Sequence, residues 1–404
     1  MDKIFFHIDV NSAFLSWTAV DELKKGNPID LREVPAVIGG DTDSRHGIVT
    51  ARSMLAKKYG IINAEPVVSA VRKCPNLLIY PPDFHLYLKM SHAFIDFLYT
   101  LTNDIEQASI DEVYMDFTPI AHMYQSPVAA ADYIRSEIKA RYGFTVNIGI
   151  SDRKVLAKMA SDFQKPDRTH TLFSYEIKDK MWPLPVGDLF LCGKSAEATL
   201  NKLGIFTIGE LANTDVDILT SHLKSHGITL WQFANGIDNS GIVTEPPESK
   251  GIGNSTTPPK DILTREEASR VLLSLSESVA NRMYKENFLA GQVTVEIKYT
   301  DFKSYSHQRA TTSPIETSKA IHKVALELFD SLWNGEPIRL LGVRAGKLIH
   351  PDAPYQLSLF SEDSGFNLNE PSETKKENER NKKLDAFMRE AKEKFGESAI
   401  KKGV

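Results

Sequence analysis

The sequence predicts a multidomain α+β protein. Three observations carry this prediction. Through residues 1–170, runs with strand character and helical segments mix without a strict βαβ alternation. Residues 171–240 look mostly helical and short-looped. A stretch rich in Gly, Pro, Ser and Thr at 241–257 then leads to a separate unit, 258–350, which runs helix, strand pair, helix, strand. The length of 404 residues agrees, since it corresponds to about two to four domains.

Each element has a local reason. Residues 2–10 read as a strand through Ile4-Phe5-Phe6-His7-Ile8. Asn11–Lys25 reads as a helix with Phe14, Trp17 and Leu23 among its apolar positions, stopped by Gly26-Asn27-Pro28. Val34–Ile38 is a strand, Ile48–Tyr59 a strand giving way to a helix that stops at Gly60, and Leu77–Tyr80 a strand closed by Pro81-Pro82. Helices are expected at 84–102, 126–142 and 152–163, with strands at 105–110, 113–117 and 144–150. In the last unit helices are expected at 264–287 and 315–333, with strands at about 290–312 and 338–348. Residues 361–382 are polar with almost no apolar residues and read as disordered, followed by a short amphipathic stretch, Leu384–Phe395.

Composition narrows the function classes. No run of 18 or more apolar residues occurs, and Met1-Asp2-Lys3-Ile4 leads straight into a strand, so neither a membrane span nor a secretory signal is expected. The two cysteines, Cys74 and Cys192, have no metal-type partner at short spacing, which suits a reducing cytoplasm. The net charge of −5 does not by itself mark a nucleic-acid binder. Lys250–His350 is locally basic, with 8 Lys and 6 Arg against 3 Asp and 8 Glu.

The chemistry is concentrated in three strings. Ser109-Ile110-Asp111-Glu112 places two carboxylates between apolar segments, and Asp9 ends the first strand. Carboxylates at two strand ends suit Mg²⁺, a hard cation usually held by one or two carboxylates plus substrate phosphates. A pair of such ions can clamp both oxygens of an in-line phosphoryl displacement. In Asp9-Val10-Asn11-Ser12-Ala13-Phe14 the aromatic follows the carboxylate by five residues, although the spacing alone favours a plain first core residue of a helix. In the second string, Gly47 to Gly60, Arg52 and Lys57 are five apart and do not share one helical face, so they would reach different phosphates or form an ordinary solvated face. The third string, Gly149-Ile150-Ser151-Asp152-Arg153-Lys154-Val155-Leu156-Ala157-Lys158, offers Ser151 or Asp152 as helix cap. Lys154 and Lys158 stand on one face there, an arrangement that asks for a nearby anion.

These strings, in this order, resemble the Y-family translesion DNA polymerases of the polymerase IV and polymerase V type. The resemblance runs over nearly all of residues 1–360. It implies a right-hand architecture: a palm at 1–10 and 83–170, small fingers at 11–82, and a helical thumb at 171–240. A linker at 241–257, an α+β little finger at 258–350 and a flexible tail at 351–404 would complete it. It implies a distributive, low-fidelity polymerase in which a primer 3′-OH attacks the α-phosphorus of a dNTP. Two Mg²⁺ ions, replaceable by Mn²⁺, would be held by Asp9, Asp111, Glu112 and the Val10 carbonyl. Phe14 falls on the steric-gate position that rejects a ribose 2′-OH, and Lys158 matches a lysine that contacts the triphosphate. Lys57 stands where an arginine is common, and Arg52 lies close by. Asn11, Met54 and Arg153 depart from frequent family residues, and the T-A-R-S-M-L-A-K neighbourhood leans toward polymerase V. Small side chains at Ser12 and Ala13 imply a roomy site.

The resemblance also assigns DNA contacts. Leu191-Cys192-Gly193-Lys194 and Leu200–Ile205 look like a helix-hairpin-helix with Leu191 in place of the first glycine, so Gly193 and Lys194 would meet a DNA phosphate. Lys298, Lys303, Arg309, Arg339 and Arg344 lie on or beside strands of the little finger and would add sequence-independent affinity. Gln356-Leu357-Ser358-Leu359-Phe360 resembles the pentapeptide by which bacterial polymerases bind the sliding clamp. The expected partners are primer-template DNA, dNTP and clamp, with the polymerase itself a monomer. Two other readings make different demands. A catalytically dead scaffold would lack a carboxylate, and another two-metal phosphoryl-transfer enzyme would not need Phe14, the hairpin or the tail peptide.

Overall fold

Strand β1 (Phe5–Val10) is buried at every position, as its apolar run requires. It lies at the centre of a sheet because both its edges are paired. In the computed structural model the described residues are 3–40, 47–245, 248–353 and 372–396. They divide into two units, Met1–Pro246 and Pro247–Val404.

In the first unit β1 leads into α1 (Ala13–Lys24), β2 (Ala36–Gly39), β3 (Val49–Arg52), α2 (Met54–Lys58), α3 (Val67–Lys73) and β4 (Leu78–Tyr80). There follow α4 (Phe84–Tyr99), β5 (Ile105–Gln107), β6 (Glu112–Asp116), α5 (Pro127–Tyr142), β7 (Val146–Ser151), α6 (Lys154–Asp162) and β8 (Thr169–Thr171). The main sheet has the order β5-β6-β1-β7-β8, and β2, flanked by β3 and β4, forms a second, three-stranded sheet. Ile8, Val10, Trp17, Phe94, Phe117, Phe144 and Ile148 sit in one buried cluster that joins the main sheet to α1, α4 and α5. Helix α5 starts at the Ser126 cap, whose hydroxyl accepts from Ala129 N, with Pro127 in the first turn where no N–H is needed.

Short helices complete the unit: α7 (Ile177–Lys180), α8 (Lys194–Lys202), α9 (Ile208–Ala212), α10 (Val216–Leu223) and α11 (Ser225–Ala234). They pack around Leu200, Ile208, Leu211, Leu219 and Leu230, and this cluster extends to Leu156 and Met159 of α6. The mostly helical character expected for 171–240 is what the structure has. Helix α3 and strand β8 were not expected. Helix α3 follows Pro66 and is rich in valine, so its composition favours a strand and only packing of Val67 and Ala70 makes it helical.

The second unit contains β9 (Gly251–Thr256), α12 (Arg265–Lys285), β10 (Leu289–Tyr299), β11 (Ser304–Ile315), α13 (Ser318–Leu332), β12 (Ile338–Ile349) and α14 (Ser372–Phe395). Its sheet runs β11-β10-β12-β9, all antiparallel. Val293, Val295 and Ile297 of β10 share a buried cluster with Leu272, Val279, Ile321 and Phe329 of α12 and α13. The alternate residues Thr294, Glu296 and Lys298 are only partly buried and belong to the other face. Helix α12 begins with a capping box, Thr264 with Glu267.

Two expectations are corrected here. The linker expected at 241–257 ends in strand β9, which pairs with β12. Its glycines lie close to β12: a Cβ on Gly251 would lie 3.0 Å from the Ala345 carbonyl, and one on Gly253 3.1 Å from Arg344 Cβ. The tail expected to be flexible and disordered through 382 is helical from Ser372. Helix α14 is polar overall, yet Met388 and Ala391 are buried. Its Asp385 caps α13 by accepting from Ser318 N (2.9 Å) and Ser318 Oγ (2.8 Å). The peptide Gln356–Phe360 lies outside the described residues.

Candidate active site

The strand ends bring the acidic residues together. Asp9 and Glu112 are cross-strand partners in β1 and β6, and Asp9 is opposite Asn147 of β7 on its other side. The Ser109–Glu112 turn is set by one hydroxyl. Ser109 Oγ accepts from Asp111 N (3.2 Å) and Glu112 N (3.1 Å) and donates to Asp111 Oδ1 (2.7 Å). Val10 N donates to the Asp111 carbonyl at 3.0 Å, tying the turn to the end of β1.

Helix α6 delivers positive charge to these carboxylates. It lies so close to β7 that a Cβ on Gly149 would come within 1.9 Å of the Ala157 carbonyl, so only glycine permits the approach. Lys158 Nζ stands 2.7 Å from Glu112, 3.5 Å from Asp9 and 3.3 Å from Asp162. Lys165, just beyond the helix, reaches Asp9 and Asp162, both at 2.9 Å. The anion sought for Lys154 and Lys158 is therefore the protein's own: Lys154 pairs with Glu106 at 2.6 Å. The first turn of α6 is capped by neither Ser151 nor Asp152. Val155 N donates to Asp238 Oδ2 (2.9 Å), a partner 83 residues away that no local pattern announces.

Burial pushes the Asp9 carboxyl up to about 6, and the Lys165 and Lys158 ammonium groups oppose that rise. His7 and Lys158 hold the Glu112 carboxyl well below the usual carboxylate range. His7 Nε2 is 3.8 Å from Glu112, beyond hydrogen-bond distance, so the Lys158 ammonium at 2.7 Å is the stronger of these two neighbours. Desolvation lowers the His7 imidazole.

Asp9 and Asp111 open on a cleft of about 620 Å³, whose walls also include Phe14, Arg52, Lys57 and Lys165, while Glu112, the cross-strand partner of Asp9, is not among them. Phe14 is both a packed and a cleft residue: it stacks on Tyr87 with centroids 4.3 Å apart and planes at 8°. Arg52 is anchored by donating to the Ile61 carbonyl. Met54 and Lys57, on α2, are exposed to the same space. Lys158 is not part of the cleft wall; its side chain is 11% exposed, beneath the carboxylates. Lys165 was missed in the sequence because the Lys165-Pro166-Asp167 string reads only as a helix stop.

The donor chemistry fits a hard divalent cation. Asp9, Asp111 and Glu112 offer only oxygen; Lys158 and Lys165 offset the charge of Asp9 and Glu112 but neither pairs with Asp111. Among the described residues no three acidic, His or Cys side chains yet converge on one point. Asp111 is engaged with Ser109 instead.

The predicted DNA contacts fall in two regions. Gly193 precedes α8 and Lys194 opens it. Leu191, expected in a glycine position, does take a left-handed φ of 67°, and Gly204 ends α8 with φ 79°. In the second unit Lys298 and Arg344 lie on the sheet face away from α12 and α13, with Arg344 opposite Thr294. Arg339 sits at the irregularity between Lys298 and Tyr299 and stacks over Phe302 at 4.8 Å. Lys303 pairs with Asp301 at 2.9 Å, and Arg309 pairs with Glu327 of α13 at 2.5 Å. Arg309 is thus taken up on the helix side.

Comparison with known proteins places the chain in a family. Residues 8–162 match the impB/mucB/samB family, and residues 249–359 match the impB/mucB/samB family C-terminal domain. A DNA polymerase IV of Clostridium acetobutylicum is 45% identical over 404 residues, covering 100% of this chain and 98% of its own. DNA polymerase IV 1 of Bacillus subtilis is 34% identical, over 99% of this chain and 92% of its own. A solved Y-family DNA polymerase chimera, Dbh-Dpo4-Dbh, superposes with a TM-score of 0.74 at 23% identity, covering 86% of this chain and 99% of that one, and shows the fold. The lean toward polymerase V read from T-A-R-S-M-L-A-K is corrected by these relatives. The chain belongs to the impB/mucB/samB family, as a translesion Y-family DNA polymerase of the polymerase IV type.

Proposed function

We propose that the cleft above Asp9, Asp111 and Glu112 binds a dNTP and the primer 3′ end for template-directed, low-fidelity synthesis. The observation that carries this is that Asp9, the cross-strand partner of Glu112, lines one cleft with Asp111, Phe14, Arg52, Lys57 and Lys165. Family members use divalent metal. Here Asp9, Asp111, Glu112 and the Val10 carbonyl would hold two Mg²⁺ ions, with Mn²⁺ as a substitute. When bound, such ions lower the pKa of a primer hydroxyl and neutralise triphosphate charge.

The chain's own residues do the rest by position. Lys158 pins the Asp9 and Glu112 carboxylates from below. Lys165, Arg52 and Lys57 present positive charge to the triphosphate, and we assign the direct contact to Lys165 in place of Lys158. Phe14, braced on Tyr87, is a rigid wall against a ribose 2′-OH. No side-chain base is required, since this chemistry rests on positioning and charge. The main sheet with α4 to α6 acts as palm, 11–82 as fingers, 171–240 as thumb, and the unit from β9 to β12 as little finger. Gly193, Lys194, Lys298, Arg339 and Arg344 are the proposed DNA contacts, with Lys303 a weaker one. Gln356, Leu357, Leu359 and Phe360 are proposed to bind the clamp. The protein is proposed to work as a cytoplasmic monomer, where its two free, buried cysteines stay reduced.

Primer extension tests the site. Asp111→Ala or Glu112→Ala is expected to lower the rate by about 10²–10³-fold or more, the scale for removing one preorganised charge-stabilising group. Intact extension would overturn the assignment. Phe14→Ala is expected to raise ribonucleotide incorporation by about 10–10²-fold, the range for a pocket admitting one extra hydroxyl.

A further inference from the structure

We infer that Asn11 and Asn147 are positioning residues that clamp the loop carrying Lys165, and through it the grip on the incoming triphosphate. This rests on the reading of Lys165 given above. Both amides are buried, Asn11 at 7% and Asn147 at 0% exposure. Asn147 Nδ2 donates to the carbonyls of Ser161 (3.0 Å) and Gln164 (2.7 Å). Its Oδ1 accepts from Asn11 Nδ2 (3.1 Å) and Arg168 N (3.2 Å). Asn11 Oδ1 in turn accepts from Thr145 Oγ1 (3.0 Å) and Asp167 N (2.9 Å).

Both donor hydrogens and both acceptor sites of Asn147 are therefore used, which is the full capacity of a carboxamide. The partners are not scattered through the core. Gln164, Asp167 and Arg168 bracket Lys165 within one loop, and Ser161 is the last turn of α6 before it. The other end of the clamp is the active site itself. Asn147 is the cross-strand partner of Asp9, and Asn11 follows Asp9 by two residues. The same strand ends thus hold the carboxylate and the loop whose lysine reaches it at 2.9 Å. A buried amide serving only stability could use any partners; these converge on the backbone flanking one cleft cation. Asn11, a departure from the Asp frequent in the polymerase IV branch, supplies the Nδ2 donor that makes the two amides one network.

The test is a double-mutant cycle on the full-length polymerase, reading KM and kcat for a single correct dNTP on primer-template. Lys165→Ala is expected to raise KM by about tenfold or more, the loss of one charge-assisted bond. Asn11→Ala is expected to raise KM several-fold, and the double variant no further than Lys165→Ala alone, because residues acting through one another are not additive. Asn11→Asp keeps the acceptor for Asp167 N and should lie closer to wild type than Asn11→Ala. Hydrogen exchange at the Asp167 amide should quicken in Asn11→Ala and less in Asn11→Asp. If Asn11→Ala lowers the folded fraction, Asn147→Ser carries the same cycle. Multiplying fold-changes, or an unchanged KM in the Asn variants while Lys165→Ala raises it, would overturn the clamp. An unchanged KM in Lys165→Ala would instead overturn the reading of Lys165 and the clamp with it.

Discussion

The acidic floor of the cleft and the open sheet face of the second unit both carry charge, yet they handle it in opposite ways. Asp9 and Lys158 are 6% and 9% exposed, and each has its partners within 3.5 Å. Lys298 and Arg344 have no ion pair among the described residues, and Arg344 is exposed. Burial makes the first set expensive, so its geometry must be closed and exact in its pairing. Exposure makes the second set cheap to hold and adjustable, which suits contacts that carry affinity without reading sequence. On the proposed assignment, reaction chemistry sits where charge is costly, and tolerance of any template sequence sits where it is not.

That contrast can be broken by substitution. Lys158→Met should be the most damaging, because it strips a shared cation from buried carboxylates: about 3 kcal/mol of stability, the lower end for breaking a buried pair given that Glu112 is partly open. A denaturant melt with unchanged midpoint would show that Lys165 alone suffices. Gly149→Ala should cost about 1–3 kcal/mol by forcing α6 off β7, with extension falling alongside as Lys158 and Lys165 shift. Arg344→Ala, by contrast, should leave the melt alone and weaken DNA binding evenly across sequences, reducing the slope of log Kd against log salt by about 1. Smallest of all, Lys303→Ala breaks an exposed pair with Asp301 and should leave the melting temperature unchanged. A large loss there would mean that the outer charges are also structural.

The legible parts of the molecule were those carried by short strings of consecutive residues. Asp9 stands near the end of one strand and Asp111 and Glu112 at the start of another, which marked them as candidates, and the resemblance of their strings to the polymerase family gave them the metal role. Phe14 follows Asp9 by five residues, in the first turn of α1. Lys158 was read as the triphosphate contact and Lys165 only as part of a helix stop, because the sequence does not show that Lys158 lies against Asp9 and Glu112 while Lys165, beyond the end of α6, lines the cleft. The seat of α6 depends on Gly149 facing Ala157 and on Asp238 capping the helix from afar. Strand β9 was hidden because glycines that lie close to β12 look like glycines of a linker. The second half of α14 was legible as the amphipathic stretch Leu384–Phe395, while its first half, from Ser372, was hidden because polar, charged residues count toward disorder in composition.

Helix α14 acts as a latch on the second unit. Asp385 accepts from both the backbone N–H and the hydroxyl of Ser318 at the start of α13, and Met388 and Ala391 of the same helix are buried. The first N–H of a helix has no partner inside the helix, and a carboxylate there also meets the positive end of its dipole. The start of α13 is therefore completed by a residue 67 positions later in the chain, so this helix finishes folding only when the last described helix has arrived.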